Sequence, residues 1–332
     1  MGSEMCIRDS AKGIKVALIS CGQVTDSCAA PAAAARDAAR RLGWDLSVYD
    51  GKLDPSQWNA GIRQAIAAHA DAIVLDSVDC GPVRQSLQAA HQANIKVYAF
   101  YSFDCSDPAY GSASPLFDGS TNYGGKFGTD YGAFSSSLGE MLADYAIAQT
   151  GGRAKVIEFN LGEIVFSRYA RQGFERRLAS CSGCKVVQAI NYVGRDLGPP
   201  LTAKAQSALL QHPDANVVVT PADVGAAFVA PAVKQLARKR ELIALGGEGL
   251  RANLDLIRND SGEDMVYASP PEWIGWAAID GVNRLLHDQE VAPSGIGGLL
   301  IDRDDNLPPA GQTVTPKVDF RAAYATAWGL DQ

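Results

Sequence analysis

Short apolar, β-branched runs alternate with longer stretches of helical period along most of the chain. Residues 14–20 (IKVALIS) read as a strand. Residues 31–42, opening on Pro31 and followed by Gly43, read as a helix, because proline suits the first helical position and glycine the position after the last. The alternation repeats with a strand at 45–49, a helix at 55–69, a strand at 72–76 (AIVLD), a helix at 82–93 and a strand at 96–101 (KVYAFY). Near-continuous apolar strands between amphipathic helices are the mark of a parallel sheet covered on both faces.

From 102 to 132 the pattern lapses into a segment rich in Gly, Ser, Asp and aromatic residues. Connections of this length inside compact domains are usually functional loops or domain crossings. The alternation then resumes: helix 133–149, strand 155–159, helix 167–179, strand 185–190, helix 201–211, strand 216–220, helix 224–239, strand 242–246, a short helix 253–258, strand 265–268 and helix 273–286. Two similar β/α halves joined across a polar segment predict two doubly wound α/β lobes with parallel sheets. The tail from 293 to 332, with the acidic run at 302–305 (DRDD), reads as a closing strand and a packed terminal extension.

Composition narrows the function classes. The 332 residues are 47% hydrophobic and 20% charged with a net charge of −7, which excludes a disordered chain and leaves room for about two domains. The acidic balance, with no basic run longer than Arg238–Arg240, argues against a nucleic-acid partner. No stretch approaches the ~20 apolar residues of a membrane helix.

The seven cysteines change the picture further. Cys6 lies in an aperiodic leader, residues 1–11, read as a tag or cloning scar and set aside from the fold. Cys21, Cys28, Cys80, Cys105, Cys181 and Cys184 remain, an even set that fits three disulfides and an oxidising, periplasmic or extracytoplasmic compartment. Sequence alone leaves 15 pairings open. Cys181-Ser-Gly-Cys184 also fits a redox or zinc motif, but a zinc site needs two further ligands, and the four histidines are scattered. No metal and no cofactor is expected. Catalysis is not expected either: there is no G-x-S-x-G elbow, no H-E-x-x-H, no P-loop and no G-x-G-x-x-G after the first strand.

Six motifs in order carry a resemblance. They are Ala93-Asn94-Ile95-Lys96-Val97, Gly128-Thr129-Asp130-Tyr131, the segment from Arg168 to Phe174 (RYARQGF), Thr220-Pro221-Ala222-Asp223, Gly246-Gly247-Glu248-Gly249 and the segment from Ala268 to Gly275 (ASPPEWIG). Their order resembles the class I periplasmic solute-binding proteins, the ribose- and galactose-binding family that also supplies the core of lactose-repressor-type regulators. The resemblance implies two lobes joined by a three-strand hinge near residues 128–130, 269–271 and 301–303. The lobes would be residues 12–128 with 271–301, and 129–270 with 302–332. It also implies a monomeric receptor of an ABC importer, which closes around a monosaccharide or polyol and presents it to a membrane permease without altering it.

Site residues follow from the same resemblance. Arg168 stands where the family places a ligand-binding arginine, whose rigid donor fork suits vicinal hydroxyls or a carboxylate; a salt bridge between lobes is the other reading. Asp223 and Glu248 stand where the family uses Asn or Asp to accept hydroxyl hydrogen bonds, with helix capping as the alternative for Asp223. Ser269 and Trp273 lie in the second crossing and Asp130 in the first. Tyr101 and Phe103 follow the fourth strand, where ribose-type members carry an acid and a base. Asp26 lies in the first loop, where sugar binders offer aromatic rings and this chain has Ser27 and Cys28. The aromatic wall is therefore assigned to Tyr101, Phe103, Phe166 and Trp273, with core packing as the alternative for Phe103 and Phe166. These departures, together with Glu163 and Glu272, keep a cationic, amine-bearing or aromatic solute open as the ligand, and a sensory role for a membrane receptor open as the function. The family's strand order implies Cys80–Cys105, Cys21–Cys28 and Cys181–Cys184 as the bridges.

Overall fold

The computed structural model describes residues 13–237 and 241–330. Cys6 and the rest of residues 1–11 lie outside them, as do residues 238–240 at the end of the expected helix 224–239. The chain divides into two compact units. Unit 1 runs to Tyr131 and adds Pro270–Ile296 and the chain from Thr315 onward; unit 2 is Gly132–Ser269 with Gly297–Val314.

Unit 1 is built on a five-stranded sheet of β1 (Lys15–Ser20), β2 (Asp45–Asp50), β3 (Ala72–Asp76), β4 (Lys96–Phe100) and β5 (Gly119–Ser120), in the order β2-β1-β3-β4-β5. Every pairing is parallel. α2 (Pro55–Ala67) and α3 (Cys80–Gln92) close one face over Ile19, Ile73, Leu75 and Val97. α2 begins where the sequence says it should, because the Asp54 side chain accepts the Ser56 N–H at 2.8 Å and Pro55 takes a first-turn position. α1 (Asp26–Arg41) and α9 (Pro271–Leu286) pack together on the remaining side, where a Cβ at Gly275 would come within 2.3 Å of the Pro31 carbonyl. α1 starts five residues before the expected Pro31, since the Cys21–Cys28 disulfide and the N–H groups of Cys28 and Ala29 on Thr25 O fix the earlier turn.

Unit 2 carries a six-stranded sheet of β6 (Lys155–Leu161), β7 (Lys185–Tyr192), β8 (Val217–Val219), β9 (Ile243–Gly246), β10 (Met265–Ala268) and β11 (Leu299–Asp302), in the order β11-β10-β9-β8-β6-β7. Only β11 runs antiparallel, against β10. α6 (Pro199–Gln211) and α7 (Asp223–Ala237) cover Ile157, Phe159, Leu161 and Val218. α4 (Tyr131–Gln149) and α5 (Val165–Leu178) approach backbone to backbone: a Cβ at Gly139 would lie 1.8 Å from the Ala170 carbonyl, and one at Gly173 1.8 Å from the Ser136 carbonyl. α8 (Arg251–Arg258) and Val314 close the β10–β11 end with Val266 and Ile301.

Three expectations are corrected. The segment 102–132 contains β5 and a short turn of tight helix at Pro108–Tyr110. The third crossing falls after Ile296, before β11, because β11 completes the sheet of unit 2. The tail does not stay with unit 2: a fourth passage after Val314 returns it to unit 1, where α10 (Phe320–Ala327), capped by Asp319, lays Phe320 and Trp328 against α9. Trp276 stacks on Trp328 at 5.4 Å, and Trp328 Nε1 donates to Asp280 at 2.9 Å. Aromatic area and one satisfied indole outweigh the continuity of sequence.

Candidate functional site

In open parallel sheets ligands gather outside the carboxyl ends of the strands, so each unit is described at that edge. In unit 1 the β1–α1 loop is fixed by the Cys21–Cys28 disulfide and by Trp58 Nε1 donating to Cys21 O at 3.0 Å. Asp50 accepts the N–H groups of Gln23 and Lys52 at 2.9 and 3.1 Å, which hold its carboxyl below the ordinary range. Asp26 sits half-buried in the first turn of α1. Asp76, ending β3, is fully buried; burial pushes its pKa well up against the opposing hydroxyls of Ser20 and Ser77.

The β4 end is the most elaborate part of this edge. Tyr101 adopts φ +51°, a left-handed conformation uncommon for a bulky side chain. Ser102 Oγ accepts the Val78 N–H and donates to Phe100 O, both at 2.9 Å. Phe103 N–H donates to Asp79 Oδ1, Cys80 N–H donates to Phe103 O, and the Cys80–Cys105 disulfide ties the loop to α3. Cys80, Asp104 and Cys105 bring three metal-type atoms within 4.8 Å, but both sulfurs are spent in that bridge. Tyr131 meets Phe103 at 4.7 Å and both Tyr101 and Tyr123 at 5.9 Å. Phe103 is buried and Tyr101 half-buried. Asp130 is exposed beside Tyr131. Trp273 is turned toward the tail, its ring stacked on Phe320 at 5.5 Å and 7°, while neighbouring Glu272 pairs with Arg321.

In unit 2, α5 begins two residues before the expected start, so Phe166, Ser167 and Arg168 all lie in its first turn. Arg171 pairs with Glu175 at 2.8 Å, Arg176 with Glu140 at 2.5 Å and Arg177 with Asp144 at 2.6 Å. Arg168 is exposed and has no ion pair among the described residues. Phe166 is half-buried, 6.3 Å from Tyr267. Glu163 accepts the Gly194 N–H at 2.9 Å, and Ser269 Oγ donates to Gly297 O at 3.1 Å.

Asp223 is fully buried and holds a loop: its carboxylate accepts the N–H groups of Gly247 and Leu250. These bonds support the turn that carries Glu248. Glu248 sits at φ +67° on that turn, half-buried, with Oε2 accepting the Asp223 N–H. Burial raises both acids' pKa values.

The third bridge, Cys181–Cys184, closes the turn after α5, with Cys181 Sγ on Gly152 O at 3.4 Å. The sequence reading did not assign Tyr123 and Tyr131 to a site. Both stand in the aperiodic 102–132 stretch, where spacing says nothing about which rings meet.

The sequence profile described as periplasmic binding protein domain matches residues 16–290. The chain belongs to this family. No curated protein matches it. Among solved structures, the fold is similar to an ABC sugar transporter subunit from Rhodobacter sphaeroides, 21% identical with a TM-score of 0.69 over 89% of this chain and 99% of that one. It is also similar to a 5-methylthioribose transporter solute-binding protein from Thermotoga lettingae in complex with 5-methylthioribose, 18% identical with a TM-score of 0.73 over 97% and 100%. A third is an ABC transporter solute-binding protein from Agrobacterium vitis bound with α-D-tagatopyranose, 18% identical with a TM-score of 0.73 over 89% and 97%. These likenesses show the fold. Among the described residues no helix is long and apolar enough to cross a membrane.

Proposed function

We propose that this family member is the extracytoplasmic receptor of an ABC importer, a monomer that binds a small hydroxylated solute and passes it, chemically unchanged, to a membrane permease. Arg168 carries this reading. Among the described residues it is the α5 arginine left without a carboxylate partner, at the carboxyl edge of a parallel sheet, and the family resemblance implies a ligand-binding arginine at its position. Glu248, held on its own turn, offers an acceptor to a hydroxyl, and Tyr101 and Phe103 stand at the corresponding edge of unit 1. The similar folds crystallised with 5-methylthioribose and tagatopyranose support a sugar or polyol ligand. On binding, the receptor would close as hinged receptors do.

A thermal-shift screen across sugars, polyols, amines, nucleosides and aromatic acids tests the reading. A ligand at 100 times its Kd adds about 2.7 kcal/mol to stability. Arg168→Ala should abolish the shift while leaving the unliganded melting temperature within ~1 °C, as expected for a surface change. Shifts from cationic amines alone, or an unchanged shift in Arg168→Ala, would overturn it. A smaller radius of gyration with ligand than without is the expected sign of closure.

A further inference from the structure

We infer that Cys181–Cys184 is a dithiol–disulfide exchange site on unit 2, a bridge that opens to a dithiol in the folded protein and re-forms on oxidation while the two bridges of unit 1 stay closed. The inference is independent of which solute the receptor binds. Accessibility is the first observation. Cys21, Cys28, Cys80 and Cys105 all belong to the hydrophobic core of unit 1 and are between 0% and 7% exposed. Cys181 and Cys184 are half-buried, and the residues between them, Ser182 and Gly183, are exposed. A thiolate has to reach a bridge sulfur to open it. The core of unit 1 must therefore open before its two bridges can be attacked, whereas the third bridge meets solvent in the folded state.

The turn that carries this third bridge does not depend on it. A sequence separation of 3 constrains the unfolded chain least of the three. Backbone bonds hold the same turn: Cys181 N–H donates to Leu178 O at 3.0 Å, Cys184 N–H to Cys181 O at 3.0 Å and Lys185 N–H to Ala154 O at 2.8 Å. Gly183 lies so close to Gly152 that a Cβ there would come within 2.3 Å of the Gly152 carbonyl oxygen. None of these contacts involves the S–S bond. An exposed bridge that closes so small a loop belongs with the labile, exchanging disulfides rather than with the structural ones.

The released thiol also has a partner waiting. Cys181 Sγ lies 3.4 Å from Gly152 O, a contact in which a disulfide sulfur has no proton to give and a thiol does. The exchange then runs in two displacements. A thiolate of the incoming dithiol attacks Cys184 Sγ, the Cys181–Cys184 bond breaks, and Cys181 leaves as a thiolate, takes up a proton and donates it to Gly152 O. The second thiolate of the same dithiol attacks its partner sulfur in the mixed disulfide; Cys184 leaves and is protonated, and the donor departs as a disulfide. Two electrons and two protons have passed to this chain. The turn follows the carboxyl end of α5, where the helix dipole disfavours a thiolate. The reduced pair thus rests as thiols, poor nucleophiles toward bridges elsewhere.

The test is timed reduction of the intact, folded chain by dithiothreitol, with free thiols trapped by N-ethylmaleimide and located by peptide mass spectrometry. Cys181 and Cys184 should be trapped together, at least tenfold faster than either pair of unit 1. The circular dichroism of the fold should be unchanged when that first step is complete, and oxidised dithiothreitol should restore the bridge. Cys181→Ser combined with Cys184→Ser should erase the first step and leave the rates of the other two pairs within twofold. Trapping of all three pairs at one rate, trapping of a unit 1 pair first, or loss of the folded signal together with the first step would overturn the inference. So would failure of the bridge to re-form.

Discussion

Glu248 and Asp223 fix each other: Glu248 Oε2 accepts the Asp223 backbone N–H at 2.9 Å, and the Asp223 carboxylate accepts Gly247 N–H at 2.9 Å and Leu250 N–H at 2.7 Å, on either side of Glu248. Asp223 thereby shapes the turn that presents Glu248. Removing it strands one buried and one part-buried N–H group. Asp223→Ala should therefore cost on the order of 2–4 kcal/mol in urea unfolding and weaken ligand binding through Glu248. A loss below ~0.5 kcal/mol, the level of an uncoupled surface change, would show that the turn stands without it.

Glu158 and Glu263 give unit 2 a pH dependence. Burial pushes Glu158 up to about 7, with Glu175 adding and Arg171 opposing; burial pushes Glu263 up to about 8, against the opposing Asn253 amide. An unfolded glutamate titrates near ~4.3, so between that value and pH 7 to 8 the folded state binds more protons and stability falls as pH rises. Melting temperatures should thus decline from pH 5 to pH 8.5. Glu263→Gln, which preserves an acceptor for Asn253, should flatten the decline and stabilise the protein at pH 8 by on the order of 1 kcal/mol. An unchanged slope in that variant would mean Glu263 titrates normally.

The three disulfides should rank by the loops they close. Sequence separations are 25 for Cys80–Cys105, 7 for Cys21–Cys28 and 3 for Cys181–Cys184. Chain-entropy arguments give about 3 kcal/mol for a loop near the largest of these and less for the others. Paired Cys→Ser variants compared by denaturant unfolding should follow that order; the largest loss at Cys181–Cys184 would contradict it.

The tail is predicted to act as a strap on unit 1. Trp328→Ala leaves Trp276 without its stacked partner and Asp280 without an indole donor, and should cost about 3–5 kcal/mol, the range for deleting a buried large aromatic. Truncation after Val314 should go further, leaving Trp276 and Trp273 uncovered and reddening tryptophan emission. An unshifted emission maximum would show that α10 is not what buries them.

Much of the fold was legible in order and type. Strand runs such as 72–76 and 155–159 are buried on both faces, so they are apolar throughout and stand out against amphipathic helices. Their boundaries were less so: α1 begins at Asp26 because of a disulfide and backbone bonds that no periodicity records, and α10, only eight residues long, does not stand out from the Pro- and Gly-containing tail until its aromatic partners are in place.

By itself, the sequence determined the β/α alternation, the family, an even cysteine set outside the leader and the residues from which a site is drawn, because each is written in local spacing or in motif order. Tertiary structure alone decided what those residues do. Arg168 remains exposed while Arg171, Arg176 and Arg177 meet acids on β6, α4 and α5; Asp223 turns inward to backbone N–H groups; Trp273 is taken up by Phe320, 47 positions later in the chain. Tyr101, Phe103, Tyr123 and Tyr131 become one aromatic group. The reason is physical: a side chain's role depends on which groups reach it across the fold, and partners brought together by packing leave no periodic trace in the chain.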